Sequence, residues 1–218
     1  MSAQSEHLLA AWMSPSYPVG AFAYSHGLET AISEEQITSA DDLGGWLDRL
    51  LEAGGPRADA IFLTLAHTAP DFAARDALAA EVRAFAQGRE RLLETDAQGT
   101  AFAATSRAVW PDRLGKALGD WPYPVAVGAA AARMGVDRDA ACRLYLHGVI
   151  SALIAAAVRF MPLGQTEGQR LLAARFAPID ALVEESRHLT LADVGGHAIM
   201  ADLAALRHET QTTRIFRT

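Results

Sequence analysis

The sequence predicts an all-α protein, a single-domain bundle of about nine or ten helices around a buried central helix at about 137–160. Three observations predict it. Apolar residues recur at i, i+3 and i+4, and no segment sustains the period-2 alternation of a strand. Alanine supplies 45 of the 218 residues and is the strongest helix former, because it loses no side-chain entropy in a helix. Glycine and proline then cut the chain into pieces of ordinary helix length.

The elements follow in order. A short helix covers about 5–13, and the run Ser14-Pro15-Ser16-Tyr17-Pro18-Val19-Gly20 cannot continue it, since two prolines remove donors and clash with the preceding turn. A second helix is expected over about 24–35. Ser39 offers a hydroxyl N-cap with Asp42 three residues on, a capping-box spacing. The helix it opens carries Leu43, Trp46, Leu47, Leu50 and Leu51 on one stripe, and Gly54-Gly55-Pro56 stops it. Helices over 57–68, 71–87 and 89–109 come next, with a break at Gly88. Trp110-Pro111 and the stretch 119–124 read as loop. Val125 to Met134 is helical and ends at Gly135.

Asp137 caps a long helix running to about Phe160. Its uncharged apolar core, Leu144 to Val158, is 15 residues long. That falls short of the roughly 18–20 residues that span a bilayer, and an all-round apolar helix belongs inside a bundle. Pro162-Leu163-Gly164 ends it. Thr166 is expected to cap the next helix with Gln169 at the reciprocal position, Pro178 separates off a helix over 180–189, and a last helix covers about 196–208. The segment from about 209 to 218 reads as a mobile tail.

Composition excludes several functions. With 19 basic and 26 acidic residues, the net charge is −7 and the pI is about 5.5. Eighteen of the basic residues are arginine, and they form no run. Nucleic acid is not an expected partner. Cys142 is the only cysteine, which leaves no internal disulfide and no cysteine-based zinc site. The N-terminus lacks a signal-peptide plan, so a cytoplasmic protein without a membrane anchor is expected.

The polar candidates are few. None of the seven histidines makes an HxxxH pair. His26 and Glu29 are three apart and could act as base and orienter; a plain helix-surface pair is the simpler reading. Ser25-His26 has no GxSxG elbow around it. Glu90 and Glu94 share a helix face, a slightly destabilising like-charge pair, either simply solvated or kept for a partner, with solvation the simpler reading. The stretch from Gly164 to Gln169 lacks a phosphate-loop pattern. The tail sets Arg207, Arg214 and Arg217 around Ile215 and Phe216. It either folds onto its own body or docks into a partner. No catalytic constellation is complete, which favours a binding or scaffold protein. The alternatives are a small all-α hydrolase using His26 and Glu29, and a helical regulatory ligand-binding domain.

Four segments together resemble the urease accessory protein UreF family. They are Ser14 to Glu29, reading SPSYPVGAFAYSHGLE; Arg89 to Thr95, reading RERLLET, with Gly99 after it; Ala157 to Gln165, reading AVRFMPLGQ; and Arg207 to Arg217, reading RHETQTTRIFR. They keep the family's order across essentially the whole chain. Thr212 and Thr213 stand where family members often carry an aromatic and a serine.

The resemblance implies an all-helical accessory protein and not an enzyme. It implies a scaffold that joins UreD (also called UreH) and the GTPase UreG for GTP-dependent nickel insertion into apo-urease, and that regulates UreG. A homodimer within that complex is implied. No cofactor is stably bound, and Ni²⁺ and GTP act through the partner proteins. On this reading Arg207, His208, Glu209, Arg214, Ile215, Phe216 and Arg217 dock on UreD, with Ile215 and Phe216 as apolar anchors. Tyr24, His26, Glu29, Glu90, Glu94, Arg159 and Gln165 line the UreG-facing or dimer surface. A transient nickel path would use His26, Glu29 and His208.

Overall fold

A computed structural model describes residues 2–196 and 198–217. Met1, His197 and Thr218 lie outside it, so the expected last helix and tail each include one residue that is not described. Twelve α-helices and two 3-10 turns make up the described secondary structure. Ten of the helices are ten residues or longer. No strand occurs among the described residues.

The order is α1 (Ala3–Trp12), a 3-10 turn at Ala21–Ala23, α2 (Leu28–Ser33), α3 (Ala40–Ala53), α4 (Gly55–Thr68), α5 (Phe72–Phe85), α6 (Arg89–Val109) and α7 (Pro111–Leu114). There follow α8 (Tyr123–Met134), α9 (Arg138–Phe160), α10 (Gln165–Ala174), α11 (Phe176–Ser186), a 3-10 turn at Leu191–Asp193, and α12 (Ile199–His208).

Local chemistry sets several boundaries. Ser39 and Asp42 form the full capping box at the start of α3, which satisfies two otherwise orphaned backbone donors. Asp137 caps α9 through the Ala140 N–H, and Gly135 closes α8 in the left-handed conformation. Several expectations fail. Pro178 does not separate two helices but lies in the first turn of α11, which starts at Phe176 and ends at Ser186, because proline is tolerated where the N–H has no intrahelical partner. The stretches read as loop at 110–111 and 119–124 are partly helical, since Pro111 opens α7 and α8 already begins at Tyr123. Thr166 does not cap α10; Gly164 takes the N-cap position without a side-chain bond. The second helix does not begin at Tyr24 but at Leu28, because Gly27 sits at φ 78. A side chain at Gly27 would also come 2.5 Å from the backbone nitrogen of Ala205. The left-handed turn and the close approach of α12 each demand glycine there.

The core is one continuous cluster. α8 is its most enclosed element, with nine of its twelve residues buried. It runs tightly along α4, where a Cβ on Gly128 would lie 2.4 Å from the Leu63 carbonyl. α9 packs on α2, α4, α8, α10 and α11, as a central helix does. It is 23 residues long and apolar enough to cross a membrane by length and composition, with half of its most apolar window buried inside the protein. The rest of it, around Gly148, Ser151, Ala152 and Ala155, forms one wall of a groove opposite the segment 12–26.

The described part of the tail, up to Arg217, lies on the body, and Phe216 is only 4% exposed. Its ring packs against Phe160, tilted by 44° with the centroids 5.4 Å apart, under the guanidinium of Arg159 at 5.6 Å. Ile215 points outward and is 74% exposed. An apolar ring this large gains about 2 kcal/mol by leaving water, which favours ordering of a short strap.

Candidate functional site

Two adjoining clusters of buried charge gather most of the polar residues singled out in the sequence. The first lies under the groove. His26 Nε2 is 2.7 Å from Glu94 Oε1, which also accepts the side-chain N–H of Gln98 at 3.0 Å. Arg91 donates to Asp59 at 2.8 Å and lies 3.4 Å from the other oxygen of Glu94. The hydroxyl of Tyr145 donates to the same Asp59 oxygen at 2.8 Å.

This environment shifts titrations in understandable directions. Burial alone would push the Glu94 carboxyl up, but His26 and Arg91 outweigh it and hold Glu94 below the usual carboxylate range. Burial pulls the Arg91 guanidinium down, yet Asp59 and then Glu94 outweigh it and keep it charged even more firmly than in water. Burial and then the Asp59 charge push the Tyr145 phenol well up, so it stays a donor. His26 holds a left-handed backbone, φ 52. That conformation costs a non-glycine residue roughly 1–3 kcal/mol and is kept only where the surroundings over-determine it.

The second cluster is built on Glu29, which is 2% exposed. Its Oε1 accepts the Ile215 N–H at 2.8 Å. Its Oε2 accepts the Phe216 N–H at 2.9 Å and lies 3.2 Å from His208 Nε2. His208 is fully buried, and its other nitrogen is 2.7 Å from Glu90. Both ring nitrogens of His208 therefore face carboxylate oxygens, one from α2 and one from α6. Arg214 closes the chain of charges by donating to Glu90. Further along the strap, the Arg217 N–H donates to the Ala23 carbonyl at 2.8 Å, and its side chain bonds Tyr24. Burial first, then the nearby Glu94, raise the Tyr24 phenol.

The groove encloses about 350 Å³ and is walled by aromatic and small side chains, with Asp59, Arg91 and Glu94 among its lining residues and Arg159 also on its wall. A second, much smaller cavity of about 40 Å³ lies between α6 and α12. His26, Arg91 and Glu94 line both, and so form the partition between them.

The expected arrangement is therefore partly redrawn. Glu90 and Glu94 are not solvated; each is taken by partners from distant segments. His26 and Glu29 do not form a base–orienter pair, because the turn at Gly27 separates them: His26 goes to Glu94 and Glu29 to His208. That removes the geometry the hydrolase alternative needed. Phe216 faces the chain's own body and Ile215 faces out. Arg207 pairs with Glu34 at the surface, and Gln165 is exposed at the start of α10. No group of three or more His, Cys, Asp or Glu side chains is arranged to hold a metal ion among the described residues.

Asp59, Arg91, Tyr145 and Gln98 escaped the sequence reading. Asp59 did leave a signal, a lone charge inside the apolar run Ala58 to Leu63 of α4. A charge placed so is buried and must be paired.

The family model of UreF matches residues 37–175. This chain belongs to the UreF family. It is 46% identical to the urease accessory protein UreF of Cereibacter sphaeroides (strain ATCC 17025) over 210 residues, 96% of this chain and 97% of that protein. It is 44% identical to UreF of Rhodopseudomonas palustris (strain BisB5) over 221 residues, 98% and 91% of the two chains. Against UreF of Bradyrhizobium sp. (strain BTAi1) the identity is 43% over 216 residues, 96% and 90%. It is a urease accessory protein and not an enzyme, and the site is accordingly read as a place of contact and not of turnover.

Proposed function

We propose that this UreF-family chain is a cytoplasmic scaffold. It joins UreD (UreH) to the GTPase UreG, regulates UreG, and serves GTP-dependent nickel insertion into apo-urease, as a homodimer within the complex. Nickel is cargo here, and no stably held metal or cofactor is assigned to the chain. The observation that carries the reading is the convergence of the first, second and fourth resemblance segments, with Arg159 and Phe160 of the third, on one structure: the charge partition and the strap beside it.

The surface near the strap supports a docking role. α12 leaves Ile199, Leu203 and Leu206 exposed on one stripe, with Met200 beside them. Exposed Ile215 adds to it. Arg89, Arg207 and Arg214 are exposed, which suits a partner with an apolar centre and an acidic rim. Arg159, exposed on the groove wall, is assigned to a contact with UreG. The paired cavities and their partition of His26, Glu94 and Arg91 suit a path along which a weakly held cation is passed.

The test is a pull-down with UreD and UreG homologues, with and without GTP and Ni²⁺. Retention of both partners by the full chain is expected. A chain ending at Thr213, which keeps α12, the buried His208 and the Glu209 cap, should lose UreD while keeping its helical CD spectrum. Normal UreD binding by that truncated chain would overturn the docking assignment.

A further inference from the structure

Glu29 offers more than burial of a charge. It is the one side chain that receives two successive backbone N–H groups of the strap, one on each carboxylate oxygen. Backbone donors aimed together at one anion make a small, directional nest. Because the two amides are adjacent, the carboxylate dictates which strap residue turns inward and which outward. The inward one is Phe216, seated against Phe160 and Arg159. The outward one is Ile215.

We infer that Glu29 is a positioning residue for partner docking: its carboxylate, with one strap amide on each oxygen, sets the register of the strap, and thereby presents Ile215 and holds Arg159. This rests on the reading of the strap as partner-facing, and it gives Glu29 a role through the strap in place of a direct contact with UreG or nickel. His208 and Glu90 keep the carboxylate in place from behind, so the clasp draws on α2, α6, α12 and the strap together. A glutamine at 29 has the same shape but only one acceptor oxygen, and its amide N–H₂ would oppose one of the two strap amides.

The test is a double-mutant cycle on the chain itself, so its failure is distinct from failure of the partner assignment. Glu29→Gln is made in the full chain and in a chain ending at Thr213. Trypsin cleavage after Arg214 and the urea midpoint are the readouts. In the full chain, cleavage after Arg214 should rise by about tenfold or more, as expected for losing a hydrogen bond to a charged group, while cleavage outside the strap stays the same. The stability lost by truncation should largely disappear in the Glu29→Gln background. Unchanged cleavage after Arg214, or strictly additive stability losses, would each overturn the inference. Should Glu29→Gln not fold, a semisynthetic chain with an ester in place of the Ile215–Phe216 amide removes one donor and keeps every side chain. It should show the same rise in cleavage, and wild-type cleavage of it would refute the role.

Discussion

Glu209 caps helix α6 from 120 residues away. Its Oε1 accepts the Arg89 N–H at 2.6 Å, and its Oε2 accepts the Arg89 side-chain N–H at 3.1 Å. Gly88, the residue at the N-cap position, has no side chain to do this. A carboxylate there both satisfies an orphan donor and meets the positive end of the helix dipole. Glu209→Ala should therefore cost about 1 kcal/mol, or roughly 2–4 °C in Tm for a chain of this size. A thermal melt by CD checks it.

The same cap predicts a pH dependence. Burial pulls the Glu209 carboxyl up, but bonds from the Arg89 side chain and from the Glu90 and Arg89 backbones win and hold it below its ordinary 4.5. A carboxyl lowered on folding stabilises fully above its unfolded value and loses that contribution as pH falls through the folded one. Stability against urea should decline below pH 4.5 less steeply in Glu209→Gln than in wild type. Equal slopes would disprove a charged cap.

Removing Glu94 leaves His26 unpaired and deprives Arg91 of one of its two carboxylates. Glu94→Ala should cost about 3 kcal/mol, the usual penalty for stripping one partner from a buried charge group. Glu94→Gln should cost less, because it retains an acceptor for His26 or Gln98. Urea denaturation of both variants separates charge from shape.

Gly128 is a packing position. Its missing side chain lets α8 and α4 approach, and a Cβ there would meet the Leu63 carbonyl at 2.4 Å and the Ala66 methyl at 3.1 Å. Gly128→Ala should destabilise by about 1–3 kcal/mol despite the better helix propensity of alanine. A rise in Tm would show that the two helices separate at no cost.

Ala152 lies on the α9 wall of the groove. Ala152→Trp should fill much of the 350 Å³ while leaving the core untouched. If the groove belongs to the nickel path, urease activation in a reconstituted assembly should fall, with partner retention unchanged. Full activation would exclude the groove from that path.

The bundle was legible where capping and breaking residues coincide with periodicity. Helix α6 begins at Arg89 and ends at Val109 as its flanking Gly88 and Trp110-Pro111 announce, and α9 begins after Asp137 and ends at Phe160. Helix α2 was not legible, since periodicity carries through Gly27 and only the crossing of α12 reveals why that glycine is left-handed. Candidate residues could be named, but their pairing could not. Glu94 finds His26 across 68 positions and Glu90 finds His208 across 118, and spacing along one helix contains no trace of either. Like charges at i, i+4 looked solvated because their cations come from elsewhere in the fold.

The pairing of α2 with α12 also imposes an order of events during synthesis. Chains fold from the N-terminus as they emerge, so α2 exists long before the segment that covers it. Until α12 arrives, Gly27 has no backbone to pack against and the carboxylate of Glu29 lies open to water. Residues 199–217 complete the polar interior, and any pause before they are made would leave a nascent body with its charge cluster unsealed.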